Sequence, residues 1–190
     1  MRRIVYAMLV LGFCSSDALA DPRAGASKAR ICIACHNPQH RLAAMPLLEG
    51  QPAEYLYVQL KAYKDNRRFD PTMTMAPSAA NLSDLDMREI SAFFAKQTVP
   101  SVAYQINSTK VASGRTKAAA FGCGNCHRGD ENSTSTVPRL AGQAVGYSMA
   151  QLQAFTTGKR AHGAGSNAAP AVSLNDTDIE DLANYFGQLN

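Results

Sequence analysis

Apolar positions fall into one uninterrupted run near the start of the chain and several shorter stretches with helical period. In "AEYLYVQLKAYK" (residues 53–64), Tyr55, Val58, Gln59 and Ala62 recur at helical spacing with Leu56, Leu60 and Tyr63 beside them, which predicts an amphipathic helix. A further helix is predicted from Ser83. Asp86 follows it in a capping-box pattern, and "MREISAFFAK" continues the apolar period. Asn175 and Asp178 repeat that arrangement before the last segment. Sustained alternation of apolar and polar residues, the mark of a strand, occurs nowhere. The pattern predicts an all-α protein.

The uninterrupted run covers residues 4–13. Arg2 and Arg3 precede it and Ala18-Leu19-Ala20 follows. A charged start, an apolar segment too short to span a bilayer and a small-x-small site predict a secretory signal peptide over residues 1–20, cleaved after Ala20. Cys14 is preceded by Phe13 rather than by the small residue that a lipidated cysteine requires, so it reads as an inert part of that peptide. The mature chain is then expected in the periplasm, exported and soluble, with no transmembrane segment. Removing Arg2, Arg3 and Asp17 takes the net charge from +4 to +3. This mild, unclustered charge excludes a nucleic-acid-binding role.

Four cysteines remain, in "CIACH" (residues 32–36) and "CGNCH" (residues 123–127). Further on, "PLLEGQ" from Pro46 matches "PRLAGQ" from Pro138 at an offset of 92. At that offset Tyr55, Gln59, Leu60 and Ala62 match Tyr147, Gln151, Leu152 and Ala154, and "NLSDLDMREISAFF" matches "SLNDTDIEDLANYF". Two successive copies of one domain are predicted, at residues 21–98 and 99–190. A linker is expected at about 97–114, where the sequence is "QTVPSVAYQINSTKVASG". A short helix is expected to run into each cysteine pair.

A C-x-x-C-H run is the attachment signature of c-type haem. Cys32 and Cys35, and likewise Cys123 and Cys126, are positioned to add to the two vinyl groups of a porphyrin, placing His36 and His127 under the irons. The competing readings are zinc, a redox dithiol and disulfides. Zinc does not require a histidine directly after both pairs, and a redox dithiol needs only one pair. Export and repetition both favour two covalently bound haem c groups. Domains this small build little core of their own, and a flat apolar cofactor fills the interior. Pro46 and Pro138 lie ten and eleven residues beyond the histidines. Their carbonyls are expected to accept the Nδ1–H of His36 and His127, directing Nε2 to iron.

The order C-x-x-C-H, P-x-L-x-G-Q, Tyr-bearing helix, Met-bearing loop, "NLSD" and final helix resembles the di-haem class I cytochromes c, and among them the cytochrome c4 family. The resemblance covers essentially the whole mature chain. It implies two tandem class I cytochrome c domains, each wrapped round a covalently attached haem, with the haems facing each other across the domain interface. It also implies an electron carrier rather than an enzyme, working with redox partner proteins: an oxidase, a cytochrome complex or a dehydrogenase. Any membrane association would be peripheral, through those partners. In that family the distal methionine stands seven residues before the leucine of the "LS" pair. That position is Met75 in the first copy, with Met73 as its competitor.

The second copy departs from the pattern. Asn167 occupies the corresponding position, and no methionine occurs between Ala150 and Asn190. Three outcomes stay open for the second haem: ligation by His162, weak ligation by Asn167 or water, or an open sixth position. An open or weakly ligated haem would admit a redox enzyme or dedicated enzyme subunit of the thiosulfate dehydrogenase or peroxidase type. The basic stretch "KAYKDNRR" and its counterpart Lys159-Arg160 read either as a steering patch for acidic partners or as solvated helix ends.

Overall fold

The computed structural model describes residues 21–40, 45–127, 136–161 and 174–189. The predicted signal peptide therefore lies outside the described residues. Helices are the only regular elements among those residues: α1 (Pro22–Lys28), α2 (Arg30–Cys35), α3 (Ala53–Lys64), α4 (Met75–Ala80), α5 (Asp84–Ala95), α6 (Ser108–Ala120), α7 (Val145–Thr156) and α8 (Asp176–Gln188). Short 3₁₀ turns occupy Pro38–His40 and Cys123–Asn125.

The two capping boxes form as their spacing predicts. Ser83 Oγ accepts from the backbone N–H of Asp86 at 3.1 Å, and Asp86 Oδ2 accepts from Ser83 N–H at 2.9 Å. Asn175 and Asp178 make the same reciprocal pair at 2.9 and 3.1 Å. Each box satisfies orphan donors at the start of a helix that forms the floor of its half.

The first half is built on the crossing of α1 with α5, and α3 packs on both α4 and α5; the second is built on the crossing of α6 with α8, with α7 on α8. Glycine permits both crossings. A Cβ on Gly25 would stand 2.1 Å from the carbonyl oxygen of Glu89, and one on Gly114 would stand 2.1 Å from that of Asp181. Lysines clamp both crossings. Lys28 bonds the carboxylates of Asp86 and Glu89, and Lys117 bonds those of Asp178 and Asp181 at 2.9 and 2.7 Å.

The core beside each crossing is small. Ala29, Leu56, Ile90 and Phe94 are buried in the first half, with Cys32, Leu48 and Leu82 packed against them. Ala118, Leu182 and Phe186 are their counterparts, with Cys123, Leu140 and Leu174 alongside. A cysteine of each pair thus lines each core.

The joining segment is shorter than its composition suggests. Helix α6 begins at Ser108, inside the stretch expected to be linker. Asn107 is the reason: its side chain accepts from Thr109 N–H at 3.1 Å, while its own N–H donates to the buried Asn184 side chain at 2.8 Å. Gly114, which reads as a flexible linker residue, is instead the contact point of a helix crossing.

In an open helix, alanine is more stable than glycine by about 1 kcal/mol. Here the added methyl meets a backbone carbonyl that cannot rotate away. Gly25→Ala and Gly114→Ala are each expected to destabilise their half by about 1–3 kcal/mol, the usual cost of overpacking. Denaturant unfolding followed by far-ultraviolet circular dichroism checks this, and a gain in stability for either variant would refute the crossing argument.

Candidate haem sites and the domain boundary

Cys32 and Cys35 stand on one turn of α2, and His36 caps it with its N–H donating to the Cys32 carbonyl at 2.8 Å. Cys32 is half-buried against the core and Cys35 is exposed. In the second half Gly122, at φ 66, turns the chain out of α6 so that Cys123–Asn125 forms a single 3₁₀ turn. His127 N–H then reaches the Cys123 carbonyl at 3.1 Å. Both pairs therefore present two thiols and a histidine within one helical turn, although one turn is α and the other 3₁₀.

Burial raises the thiol pKa of Cys32 and Cys123. Among the described residues no three or more His, Cys, Asp or Glu side chains gather as a metal cage.

His36 is 6 % exposed, and its Nδ1 lies 3.0 Å from the Pro46 carbonyl oxygen. His127 Nδ1 lies 2.8 Å from the Pro138 carbonyl oxygen. A carbonyl only accepts, so Nδ1 carries the proton and Nε2 keeps its lone pair. Burial pulls both imidazole pKa values down, against the opposing pull of the proline carbonyls. Neutral imidazole with a bare Nε2 is the form that binds a metal. The turn of the P-x-L-x-G-Q motif places these prolines. Gly50 and Gly142 sit at φ 68 and 71, and their N–H groups bond the carbonyls of Phe94 and Phe186.

The loop before α4 separates the two candidate methionines. Met75 opens α4 and is half-buried, whereas Met73 is 73 % exposed and held at φ 53. One carboxylate organises this loop. Asp70 Oδ2 accepts from the N–H groups of Thr74 and Met75 at 2.9 and 3.1 Å, and Oδ1 accepts from Thr72 N–H at 3.1 Å. Desolvation opposes its ionisation, but the Thr72 hydroxyl and these three amides hold the pKa down at about 2. His162 and Asn167, the candidates of the second copy, lie outside the described residues.

The boundary between the halves is reciprocal. Gln51, from the first copy, accepts from Arg139 N–H and donates to the Arg139 carbonyl, both at 2.9 Å. Gln143 does the same with Leu47 at 3.0 and 2.7 Å. Residues 47 and 139, like 51 and 143, are equivalents at the repeat offset, so one patch meets its own copy about an approximate two-fold axis.

Below these pairs lies a cluster whose role the sequence does not disclose. Arg68 donates to Gln59 at 2.6 Å and, across the boundary, to the Tyr147 hydroxyl and Gln151, both at 3.0 Å. Arg160 donates to Gln151 at 2.6 Å and across the boundary to Tyr55 at 3.2 Å and Gln59 at 3.3 Å. Arg68 is 7 % exposed, so it is neither a solvated helix end nor part of a steering patch; its neighbour Arg67 is exposed and pairs with Asp65. The recurrence of a Gln-Tyr-Gln-Arg set at one offset, polar residues on otherwise apolar surfaces, was the available signal.

A cytochrome c family model matches residues 111–190. The chain is 30 % identical over 200 residues to cytochrome c4 of Pseudomonas aeruginosa, with 98 % of each chain covered. It is 29 % identical over 198 residues to the thiosulfate dehydrogenase electron acceptor of Thiomonas intermedia, covering 96 % of this chain and 88 % of that one. Among solved structures, reduced recombinant cytochrome c4 from Pseudomonas stutzeri superposes with a TM-score of 0.75 at 28 % identity, covering 90 % of this chain and all of the other. The repeated attachment turns, the all-helical halves and these likenesses agree: the chain belongs to the cytochrome c4 family, as a di-haem electron-transfer cytochrome of two tandem class I domains that carries two covalently bound haem c groups.

Proposed function

We propose that this chain carries electrons between proteins in the periplasm, through two haems with unlike distal ligands. The observation that carries the reading is the pair of histidines, one buried and one half-buried, each following two thiols on one turn and each bonded through Nδ1 to a proline carbonyl. Bound haem supplies a one-electron ferric/ferrous couple. Cys32, Cys35, Cys123 and Cys126 hold the two groups covalently, while His36 and His127 offer Nε2 to the irons. Pro46 and Pro138 fix the tautomers. The apolar side chains around Cys32 and Cys123 keep water from the haem faces, and the short joining segment keeps the two sites together.

Met75 is the distal ligand of the first site in this reading, supported by its burial and by the Asp70 bonds that set its loop. A thioether favours the ferrous state and raises the potential. The corresponding loop of the second copy contains no methionine, and His162 is its histidine. With His162 beside His127, the second haem would have a lower potential than a His/Met one and would pass electrons towards the first. Redox partners dock through small transient interfaces. The likeness to a protein named as a thiosulfate dehydrogenase electron acceptor supports service to a single dehydrogenase as the second reading. That role uses the same electron-carrier chemistry.

Met75→Ala is expected to abolish the far-red sulfur-to-iron absorption of the ferric protein and to lower the first potential, whereas Met73→Ala leaves both unchanged. Loss of the band in the Met73 variant instead would reassign the ligand.

Asp70 links this band to acid. With its pKa at about 2 in the fold and near 4 when unfolded, its stabilisation is complete above about pH 4 and is lost as pH falls through about 2. Asp70→Asn is expected to weaken the far-red band already at neutral pH. A band as strong and acid-stable as in the parent would show that the carboxylate does not position Met75.

His162→Ala is expected to convert one of the two haems, and only one, from low-spin to a form that binds carbon monoxide rapidly when ferrous. An unchanged low-spin spectrum eliminates His162 as ligand.

A further inference from the structure

Each proximal histidine stands one peptide unit away from a side chain of the opposite copy. His36 Nδ1–H donates to the Pro46 carbonyl at 3.0 Å, and the N–H of that same amide, carried by Leu47, donates to Gln143 Oε1 at 3.0 Å. The second copy repeats the chain. His127 Nδ1–H donates to the Pro138 carbonyl at 2.8 Å, and the N–H of that amide, carried by Arg139, donates to Gln51 Oε1 at 2.9 Å. Both links run from histidine through amide to glutamine, and both cross the boundary between the copies.

The links are sheltered from water and held at their ends. His36, Leu47, Gln51 and Gln143 are all buried. Gln143 Nε2 donates to the Leu47 carbonyl at 2.7 Å and Gln51 Nε2 to that of Arg139 at 2.9 Å, which turns each side-chain oxygen towards its N–H. Each glutamine is also rooted in the turn of its own copy. The Gln51 N–H bonds the Leu48 carbonyl at 3.2 Å, and the Gln143 N–H bonds the Leu140 carbonyl at 3.4 Å. For adhesion alone, the glutamines could bond any backbone group on the facing surface. Both instead bond the amide that the histidine uses.

Hydrogen bonds that share one amide polarise one another, more strongly in a low-dielectric interior than in water. A glutamine oxygen drawing on the N–H leaves more negative charge on the carbonyl oxygen of the same amide. That oxygen pulls harder on Nδ1–H, and the imidazole becomes a stronger electron donor through Nε2. Ferric iron carries one more positive charge than ferrous iron, so a more basic ligand favours the ferric state and lowers the potential.

We propose that Gln143 and Gln51 are positioning residues for the proximal ligands of the opposite copy. Each acts through one amide to lower the potential of a haem that its own domain does not hold. Gln143 acts on the haem of His36, and Gln51 acts on the haem of His127. The proposal rests on the reading of His36 and His127 as proximal ligands. Tuning is then crossed, and the relative placement of the two copies becomes part of the electronic environment of each iron.

The test uses the mature holoprotein with its histidines labelled by nitrogen-15. NMR of the ferrous form assigns each imidazole through its contacts to Pro46 or Pro138. If either histidine lacks the ring-current shift of an iron-bound imidazole, the proximal-ligand reading itself fails, before the glutamines are tested. Redox titration followed by NMR then gives the potential of each haem separately. Gln143→Leu is expected to raise the potential of the His36 haem by more than that of the His127 haem, and Gln51→Leu to do the reverse. In each variant the Nδ1–H signal of the histidine in the opposite copy is expected to move upfield as its bond weakens. A purely adhesive role loosens one boundary in either variant and gives both the same pattern. That outcome, a shift confined to the haem of the mutated copy, or no shift overturns the proposal. Should a leucine variant fail to mature, Gln143→Asn and Gln51→Asn keep the amide on a shorter arm, and the same crossed pattern is expected. Its absence from the asparagine pair overturns the proposal as well.

Discussion

Two helix crossings set the position of the cysteine-bearing turns of this protein. At each, a glycine lets one helix lie against the backbone of another, with the Cβ positions of Gly25 and Gly114 blocked by the carbonyls of Glu89 and Asp181. Ala29 and Ala118 are buried one turn further on, and the attachment turns follow directly. A larger residue at the crossing would push the helix outward and carry Cys32 or Cys123 off the core that it lines. The lysine clamps, Lys28 on Asp86 and Glu89 and Lys117 on Asp178 and Asp181, act on the same contacts from the polar side. They also hold the carboxyl pKa values of Asp86, Asp178 and Asp181 down.

The second constraint is the contact between copies. Gln51 and Gln143 are almost fully buried, and each behaves as a strand would, giving one N–H and taking one from the backbone of the other copy. Buried amides satisfied in this way specify one relative placement, because any slip breaks four hydrogen bonds. An electron carrier with two centres benefits from such a fixed arrangement, since transfer between centres depends on their separation. The joining segment contributes as well: Asn107 is tied to Asn184, so the second copy starts from a fixed point.

Within this near-symmetric frame the copies differ at several matched positions. Tyr63 is matched by Phe155, Leu47 by Arg139 and the Met75 position by Asn167. The scaffold contacts at Gln51, Tyr55, Gln59 and Arg68 all have identical counterparts. At the boundary Gln51 and Gln143 bond only the backbone of the other copy, so Leu47 and Arg139 differ there without loss of a hydrogen bond.

The sequence alone determined the helical class, the duplication, the attachment turns and the capping boxes. All of these are local: a residue and its partner lie within a few positions, and the chemistry of Cys, His, Ser, Asp and Asn at fixed spacing dictates the outcome. It also pointed to the carbonyls of Pro46 and Pro138, because a repeated motif at nearly constant distance from each histidine signals a contact. Tertiary structure decided the rest. Gly114 reads as linker until α8 is seen against it, since a glycine required by packing and one required by flexibility are the same letter. Arg68 reads as a surface charge beside Arg67, and its burial appears only when α7 of the other copy closes over it. Asp70 reads as part of a turn until its carboxylate is seen gathering three N–H groups. Pairings between residues 80 to 105 positions apart leave no period in the sequence, because nothing local distinguishes a polar side chain that will meet a partner from one that will meet water.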